Sequence, residues 1–452
     1  MDKKGIAKNL FKGDVSVWII FMLLCCFSII EVFSATSTLV YRQANIWIPI
    51  ARHTSFLLVG LLFILGLVHT HYKYFSLGVL LLPVSVILLI LTLVWGINQH
   101  EAARRLELFG TPVQPSEIGK LACIIFVAFL LSKREKFSDE KTYKYIVIGV
   151  GAVCLLIFPA NLSTALLLGF VCFLMMFIGR IPLKKLGSLL FKLFIGGLLF
   201  VLLLLAIPEK TIRSYLPRAI TWKNRVDKHI MFKKADQNNT GASTLQTTSD
   251  DYQVIHAKIA IARGGIIGVG PGRSMQRDFL PQAYDDFIYA IIIEESGVIG
   301  GVVVILLYLM LTYRAGIIAR RCDRLFPKYL VFGCSLLILI QALLHMSVVV
   351  NLFPVTGQPL PLISRGGTSI VITCIYIGMI LSVSRHGEAG ESGESGETEE
   401  VEEVEEIEKT GEAKETGEAW ETGKRKSVIQ LLSYSIKQGP AGMTGKSIDT
   451  GE

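Results

Sequence analysis

Charge is scarce in this chain. Only 18% of its 452 residues are Asp, Glu, Lys or Arg, against roughly 25% in a soluble domain, and many of these lie in one C-terminal tail. With 52% hydrophobic residues and a mean hydropathy of +0.53, that shortage excludes an ordinary soluble globule. Cysteine supplies no framework. Cys25, Cys26, Cys123, Cys154, Cys172, Cys334 and Cys374 fall inside apolar runs and Cys322 in a basic loop, which indicates neither a disulfide scaffold nor a thiolate metal site. A nucleotide motif is also missing. GPAGMTGKS (439–447) places its first glycine one position too early for a P-loop and follows no strand, and GGIIGVGPGR (264–273) lacks the dinucleotide spacing. The net charge of +8 is spread over short loops. A nucleic-acid footprint would need it gathered on a soluble face.

Long apolar runs take the place of all this. Runs long enough to cross a ~30 Å hydrocarbon core recur along most of the chain, giving an all-α polytopic membrane protein. Ten spans are expected: 15–37, 51–69, 75–96, 117–132, 145–159, 161–179, 187–207, 286–312, 328–350 and 367–384. Lys3, Lys4, Lys8 and Lys12 precede the first run, which has no small-residue cleavage site and reads as an uncleaved span. The short loops KREKFSDEKTYK (133–144), RIPLKK (180–185) and 313–328 are rich in Lys and Arg. The positive-inside rule puts them, and both termini, on the cytoplasmic side of a multi-pass membrane protein. The expected layout is a cytoplasmic N-terminus (1–14) and a ten-helix membrane domain (15–385). Within that domain a large extracytoplasmic loop (208–285) lies between helices 7 and 8. An acidic, low-complexity cytoplasmic tail (386–452) follows, whose composition predicts disorder.

With this sidedness the even-numbered spans all start at the outer face, and their starts carry the unusual residues. Arg52 opens span two, QPSEIGK (Gln114 to Lys120) span four and ANLSTA (Ala160 to Ala165) span six. Asp285 and Asp286 open span eight and SRGGTS (Ser364 to Ser369) span ten, with Arg104 and Arg105 just ahead of span four. Singly, each has a bland reading: Pro115 and Glu117 suit a helix first turn, an aspartate before a helix caps it, and arginines at span ends snorkel. Jointly, five positive helix ends, arginines, a lysine and several acids at one face suit an anionic, phosphate-bearing lipid.

These clusters also carry a family resemblance. QPSEIGKL, YDDFIYAIIIEESGVIG, VTGQPLPLISRGGTS and HAKIAIARGGIIGVGPGRS resemble, in the right order, the signatures of the FtsW/RodA (SEDS) family, and PQAYDDFIYAIIIEE is similar to the FtsW cell-division branch. The resemblance covers about residues 12–385. Departures are Arg365, Leu106 where a tryptophan is usual, Asn161 for an aspartate, and Asp285 for Ser or Thr.

The resemblance implies a peptidoglycan glycosyltransferase that polymerises lipid II, an undecaprenyl-pyrophosphate disaccharide-peptide, at the outer face of the inner membrane. It also implies a class B penicillin-binding protein (a transpeptidase) and other division-complex membrane proteins as partners, and no nucleotide cofactor. The family's catalytic aspartate directly precedes F-I-[FY]-A, which selects Asp286 as general base and leaves Asp285 as a cap or solvent residue. Arg52, Arg105, Glu117, Lys120 and Ser364 are implied to bind substrate. The cations are assigned to the pyrophosphate, and Glu117 and Asp286 are candidate ligands for a divalent cation (Mg or Mn). Glu117 and Lys120, three residues apart, can share one helix face. On a continuous helix Glu294 would lie about 12 Å deeper than Asp286 and turned roughly 80° from it, so Glu294 and Glu295 are expected to be buried structural acids, paired with donors on neighbouring helices or kept neutral. The alternative is a lipid II flippase, which needs the same cavity and no base; clustering at one face favours the enzyme over a site alternating about the midplane.

Overall fold

The computed structural model describes residues 11–36, 47–99, 102–108, 111–134, 136–206, 249–280 and 285–386. The expected cytoplasmic residues before 11, most of loop 208–285 and the tail from 387 lie outside the described residues.

The helices are α1 (Val15–Thr36), α2 (Trp47–His69), α3 (Leu81–Trp95, entered through a 3-10 stretch, Tyr72–Leu80), α4 (Pro115–Ser132), α5 (Asp139–Ile157), α6 (Leu162–Ile178), α7 (Leu183–Ala206), α8 (Ser249–Gly264), α9 (Gln276–Phe279), α10 (Ile288–Arg320), α11 (Leu325–Val349) and α12 (Gly367–His386). A helix stands at each expected span. Among the described residues seven are long and apolar enough to cross a membrane, and α6 is a shorter apolar helix. α5 and α7 fall outside that set; α5 opens on DEKTYK and α7 carries Lys184, Lys185 and Lys192.

Local chemistry sets the helix starts. Asp14 Oδ1 accepts from the Ser16 and Val17 amides at 2.8 and 3.2 Å, capping α1, while its other oxygen pairs with Arg314. Pro115 and Glu117 occupy the first turn of α4, where a missing N–H and a negative charge are favourable. Asn161 caps α6, its Oδ1 accepting from Thr164 N at 3.3 Å, so the neutral residue at this departure has a structural task.

One stretch departs from the all-α expectation. Residues ahead of α4 form three short antiparallel strands, β1 (Ile97–Gln99), β2 (Ala102–Leu108) and β3 (Thr111–Val113), in the order β1-β2-β3. Leu106 pairs with Val113 and Leu108 with Thr111. The physical reason is in LELFGTPV: two short runs with β-prone residues around a glycine are too brief for a membrane helix and close their backbone hydrogen bonds as a hairpin.

α4 is buried along most of its length, packed between α3 and α11, and α11 also packs on α10 and α6. α12 lies on α2, where Gly60 meets Cys374 and Gly378 meets Ile64 and Leu67. Leu58, Leu62, Ile87, Val94 and Trp95 on α2 and α3 are exposed, as lipid-facing side chains must be.

The second departure is inside span eight. The expected single run 286–312 is interrupted at Gly297 (φ +71°, ψ −176°) within α10. A broken helix strands backbone groups that a bilayer cannot solvate. Here the glycine-rich segment after α8 meets them. Val298 N donates to Gly265 O at 3.0 Å and Ile299 N to Ile266 O at 3.3 Å, while Val269 N and Gly270 N donate to Glu294 O and Glu295 O at 3.0 and 2.9 Å. Approach this close needs glycine. A Cβ on Gly268 would sit 2.2 Å from Glu295 O, and one on Gly297 would sit 2.1 Å from Ile266 O.

Candidate active site

The loop between α11 and α12, Asn351 to Gly366, is the hub of the site. Its backbone is held by side chains from α1, α10 and α11. Ser28 of α1 donates to Leu362 O at 2.8 Å and touches His53 Nε2 of α2 at 2.7 Å. Tyr308 of α10 donates to Pro361 O at 2.5 Å, and His345 of α11 donates through Nδ1 to Gln358 O at 2.7 Å. Gln358 Nε2 reaches Thr164 Oγ1, at the start of α6, at 2.6 Å. Leu362 is held at φ +66°, a left-handed conformation that a leucine adopts only under such restraint. Thr164 at the start of α6 and Asp285 ahead of α10 bond to this loop directly and α12 begins at its end, whereas His53 of α2 reaches it through Ser28 and Lys120 of α4 through Gln341.

Asp285 and Asp286 lie in a half-buried turn ahead of α10. The helix begins at Ile288, and its N-cap position is Phe287 with no side-chain cap. Asp286 therefore stands outside the helix, and Asp285 does not fill the N-cap position. Asp285 contributes its carbonyl instead, which accepts from Ser364 Oγ at 2.7 Å. Ser364 is 1% exposed and accepts in turn from Leu360 N at 2.8 Å.

Glu117 and Lys120 form an i,i+3 ion pair on α4 at 2.8 Å, with Lys120 fully buried and Glu117 3% exposed. Lys120 Nζ also donates to Gln341 Oε1 at 2.8 Å, and Gln341 Nε2 donates to Pro359 O at 3.0 Å. Arg52 is exposed near the start of α2. Arg105 lies on β2 opposite Ile97; its side chain lies outside the described residues. A cleft beside the start of α4 is lined by Leu89, Thr92, Gln114, Ser116, Ile157 and Asn161 and does not include Asp286.

The two glutamates of α10 have a full set of donors, and most come from the glycine-rich segment rather than from neighbouring helices. Glu294 accepts from Ser274 Oγ, from Met275 N at 3.1 Å and from Gln276 N at 3.3 Å, with Arg263 at 3.4 Å. Glu295 accepts from Ser34 Oγ of α1, from Gly272 N at 2.9 Å and from Ser274 N at 3.3 Å.

Of the two candidate ligands for a divalent cation, Glu117 is engaged by Lys120, and Asp286 stands in the turn ahead of α10; a Mg or Mn ion held there would rest on one or two carboxylates and the substrate's phosphates.

Sequence reasoning missed Ser28, His53, Gln341, His345 and Gln358. For the first four the signal was available, since polar side chains inside apolar runs are expensive and need partners; Gln358 lies in the loop, where that signal is absent.

A bundle of apolar helices with a sealed polar hub at one end defines a polytopic membrane protein. Residues 14–389 match the family model for the cell cycle proteins FtsW, RodA and SpoVE, and the chain belongs to that family. It is 30% identical over 386 residues to the probable peptidoglycan glycosyltransferase FtsW of Geobacter metallireducens, covering 83% of this chain and 96% of that one. It is 28% identical over 383 residues to stage V sporulation protein E of Bacillus subtilis, covering 82% and 97%. The fold is shared with a chain of a peptidoglycan synthase complex whose structure concerns coordination of polymerization and crosslinking (TM-score 0.62, 22% identity, 83% of this chain and 98% of that one). It is also shared with the rod shape determining protein RodA of Thermus thermophilus (TM-score 0.57, 23% identity, 83% and 98%).

Proposed function

We propose that this chain is an FtsW-type peptidoglycan glycosyltransferase that polymerises lipid II at the outer face of the inner membrane, with Asp286 as general base. Membership of the family and the names of its relatives support the activity. The observation that carries the assignment of the base is the Asp285–Asp286 turn, outside α10 and tied by Ser364 to the loop between α11 and α12.

The chemistry is one inverting displacement. The acceptor 4-hydroxyl oxygen attacks the donor's anomeric carbon, the bond from that carbon to the pyrophosphate oxygen breaks, and its electron pair leaves with undecaprenyl pyrophosphate. The hydroxyl proton passes to the Asp286 carboxylate. The activated bond is in the substrate, so no nucleotide is consumed. Arg52 and Arg105 are assigned to the pyrophosphate, where cations stabilise the departing charge. The sealed Glu117, Lys120 and Ser364 are assigned to the architecture behind the base. Ten spans with loop 208–285 outside, both termini cytoplasmic, and a class B penicillin-binding protein as partner complete the reading.

The break in α10 favours a second reading, since interrupted helices are a transporter device. Here, however, the chain's own glycine-rich segment fills the break. The deciding experiment uses purified protein with its class B partner, the partner's transpeptidase serine blocked, and lipid II in detergent. Glycan polymer is expected. An absence of polymer, together with protein-dependent passage of labelled lipid II across proteoliposomes, would establish the transporter instead.

A further inference from the structure

Four hydrogen bonds join the buried ion pair on α4 to the turn that holds Asp286, and their donors all point the same way. Lys120 Nζ donates to Gln341 Oε1 at 2.8 Å. Gln341 Nε2 donates to the carbonyl of Pro359 at 3.0 Å. That carbonyl and the amide of Leu360 belong to one peptide group, and Leu360 N donates to Ser364 Oγ at 2.8 Å. Ser364 Oγ donates to Asp285 O at 2.7 Å, and that carbonyl shares its peptide group with the amide of Asp286.

The direction is fixed by chemistry at both ends. An ammonium has no acceptor, so Gln341 must turn its oxygen to Lys120 and its NH2 to the loop. A carbonyl has no donor, so the Ser364 proton must point at Asp285. All four side chains are sealed: Lys120 is 0% exposed, Ser364 1%, Glu117 3% and Gln341 4%. In such surroundings bonds aligned head to tail polarise one another, and Glu117 at 2.8 Å keeps the ammonium's charge compensated.

We propose that Gln341 is a positioning residue, the middle member of a one-way relay by which the Glu117–Lys120 pair fixes the peptide group between Asp285 and Asp286. This rests on the reading of Asp286 as the base. Lys120 then acts on the reaction through Gln341, the Pro359–Leu360 peptide and Ser364, without touching substrate. Gln341 ties α11 to this chain of bonds at both ends of its amide.

The test uses full-length protein with its serine-blocked partner and lipid II in detergent. Gln341→Leu and Gln341→Asn should each lower kcat at least ten-fold while KM for lipid II changes less than two-fold. Ser364→Ala should behave alike, and Ser364→Thr, which keeps the hydroxyl, should restore most of the rate. Because the links act in series, the double variant Gln341→Leu/Ser364→Ala should be no slower than the slower single variant; independent losses would multiply. Amide hydrogen exchange gives a readout free of activity: residues 285–290 should exchange at least ten-fold faster in Gln341→Leu and Ser364→Ala than in wild type. If Gln341→Leu does not insert, the Ser364→Ala and Ser364→Thr pair carries both readouts. Multiplying losses, a failed threonine rescue, or unchanged exchange at 285–290 would each overturn the relay. A wild-type protein that makes no polymer would instead sink the glycosyltransferase reading and leave the exchange result to decide the relay.

Discussion

Glu295 and Gly272 are joined by a hydrogen bond of 2.9 Å from the glycine amide to the carboxylate, so the interruption in α10 and the segment filling it are one unit. The same carboxylate takes Ser274 N at 3.3 Å and the Ser34 hydroxyl. Glu295→Ala would leave the buried Ser274 amide and Ser34 hydroxyl without that acceptor, at about 1–3 kcal/mol for each buried donor left unpaired, and would release the exposed Gly272 amide to solvent. A clear fall in melting temperature in detergent is expected, with new proteolytic cleavage in 264–280. An unchanged melting temperature would mean that the carboxylate does not hold the segment.

Gly297 and Gly316 should respond to alanine with opposite signs. Gly297 sits at φ +71° and its Cβ would meet Ile266 O at 2.1 Å. A backbone at φ +71°, ψ −176° is essentially reserved to glycine and costs another residue about 1–3 kcal/mol, and the clash adds to it. Gly316 lies inside the same helix with nothing within 4 Å, so alanine there should stabilise by about 0.5–1 kcal/mol. Thermal denaturation of the two variants side by side checks the contrast.

The loop joining α4 to α5 should show a pH signature. Arg134 contacts Asp139 at 2.5 and 2.9 Å and donates to Gly179 O at 2.7 Å. The side-chain hydrogen bond from Arg134 holds the Asp139 carboxyl below its usual range. A depressed folded-state value means that the pair's contribution is fully present above the unfolded value of about 3.9. It is lost as pH falls through the lower folded value. Wild type should therefore melt above Asp139→Asn at neutral pH, with the gap closing under acid. A gap independent of pH would contradict the assignment.

The acidic tail should be dispensable for turnover. Its composition cannot bury a core, so a chain ended at residue 387 should polymerise lipid II at the full-length rate when both are purified. Loss of turnover on truncation would show that the tail takes part.

Much of this was legible in the sequence because hydrocarbon imposes a simple rule: runs of about 20 apolar residues become helices, and helices stand at all ten expected places. The polar helix starts were legible for the same reason, since acids and cations beside apolar runs are costly and, taken jointly, call for partners. The break at Gly297 was not legible. Periodicity carries IIIEESGVIGG as one helix, and only the pairing with residues 264–270, far away in sequence, makes the interruption affordable. The strands at 97–113 were hidden by the same emphasis on spans. Glu117 and Lys120 could be placed on one face from their spacing, whereas Gln341, which receives Lys120, is isolated in an apolar helix and becomes meaningful only once α11 lies against α4.

The most direct measurement of the central claim compares Asp286→Asn with Asp285→Asn in the detergent polymerisation assay, at matched protein abundance and melting temperature. The amide preserves shape and removes the base. The account predicts background polymer for Asp286→Asn and most of the wild-type rate for Asp285→Asn, which keeps the backbone carbonyl that takes the Ser364 hydroxyl. Glycan synthesis by Asp286→Asn at near wild-type rate would contradict it.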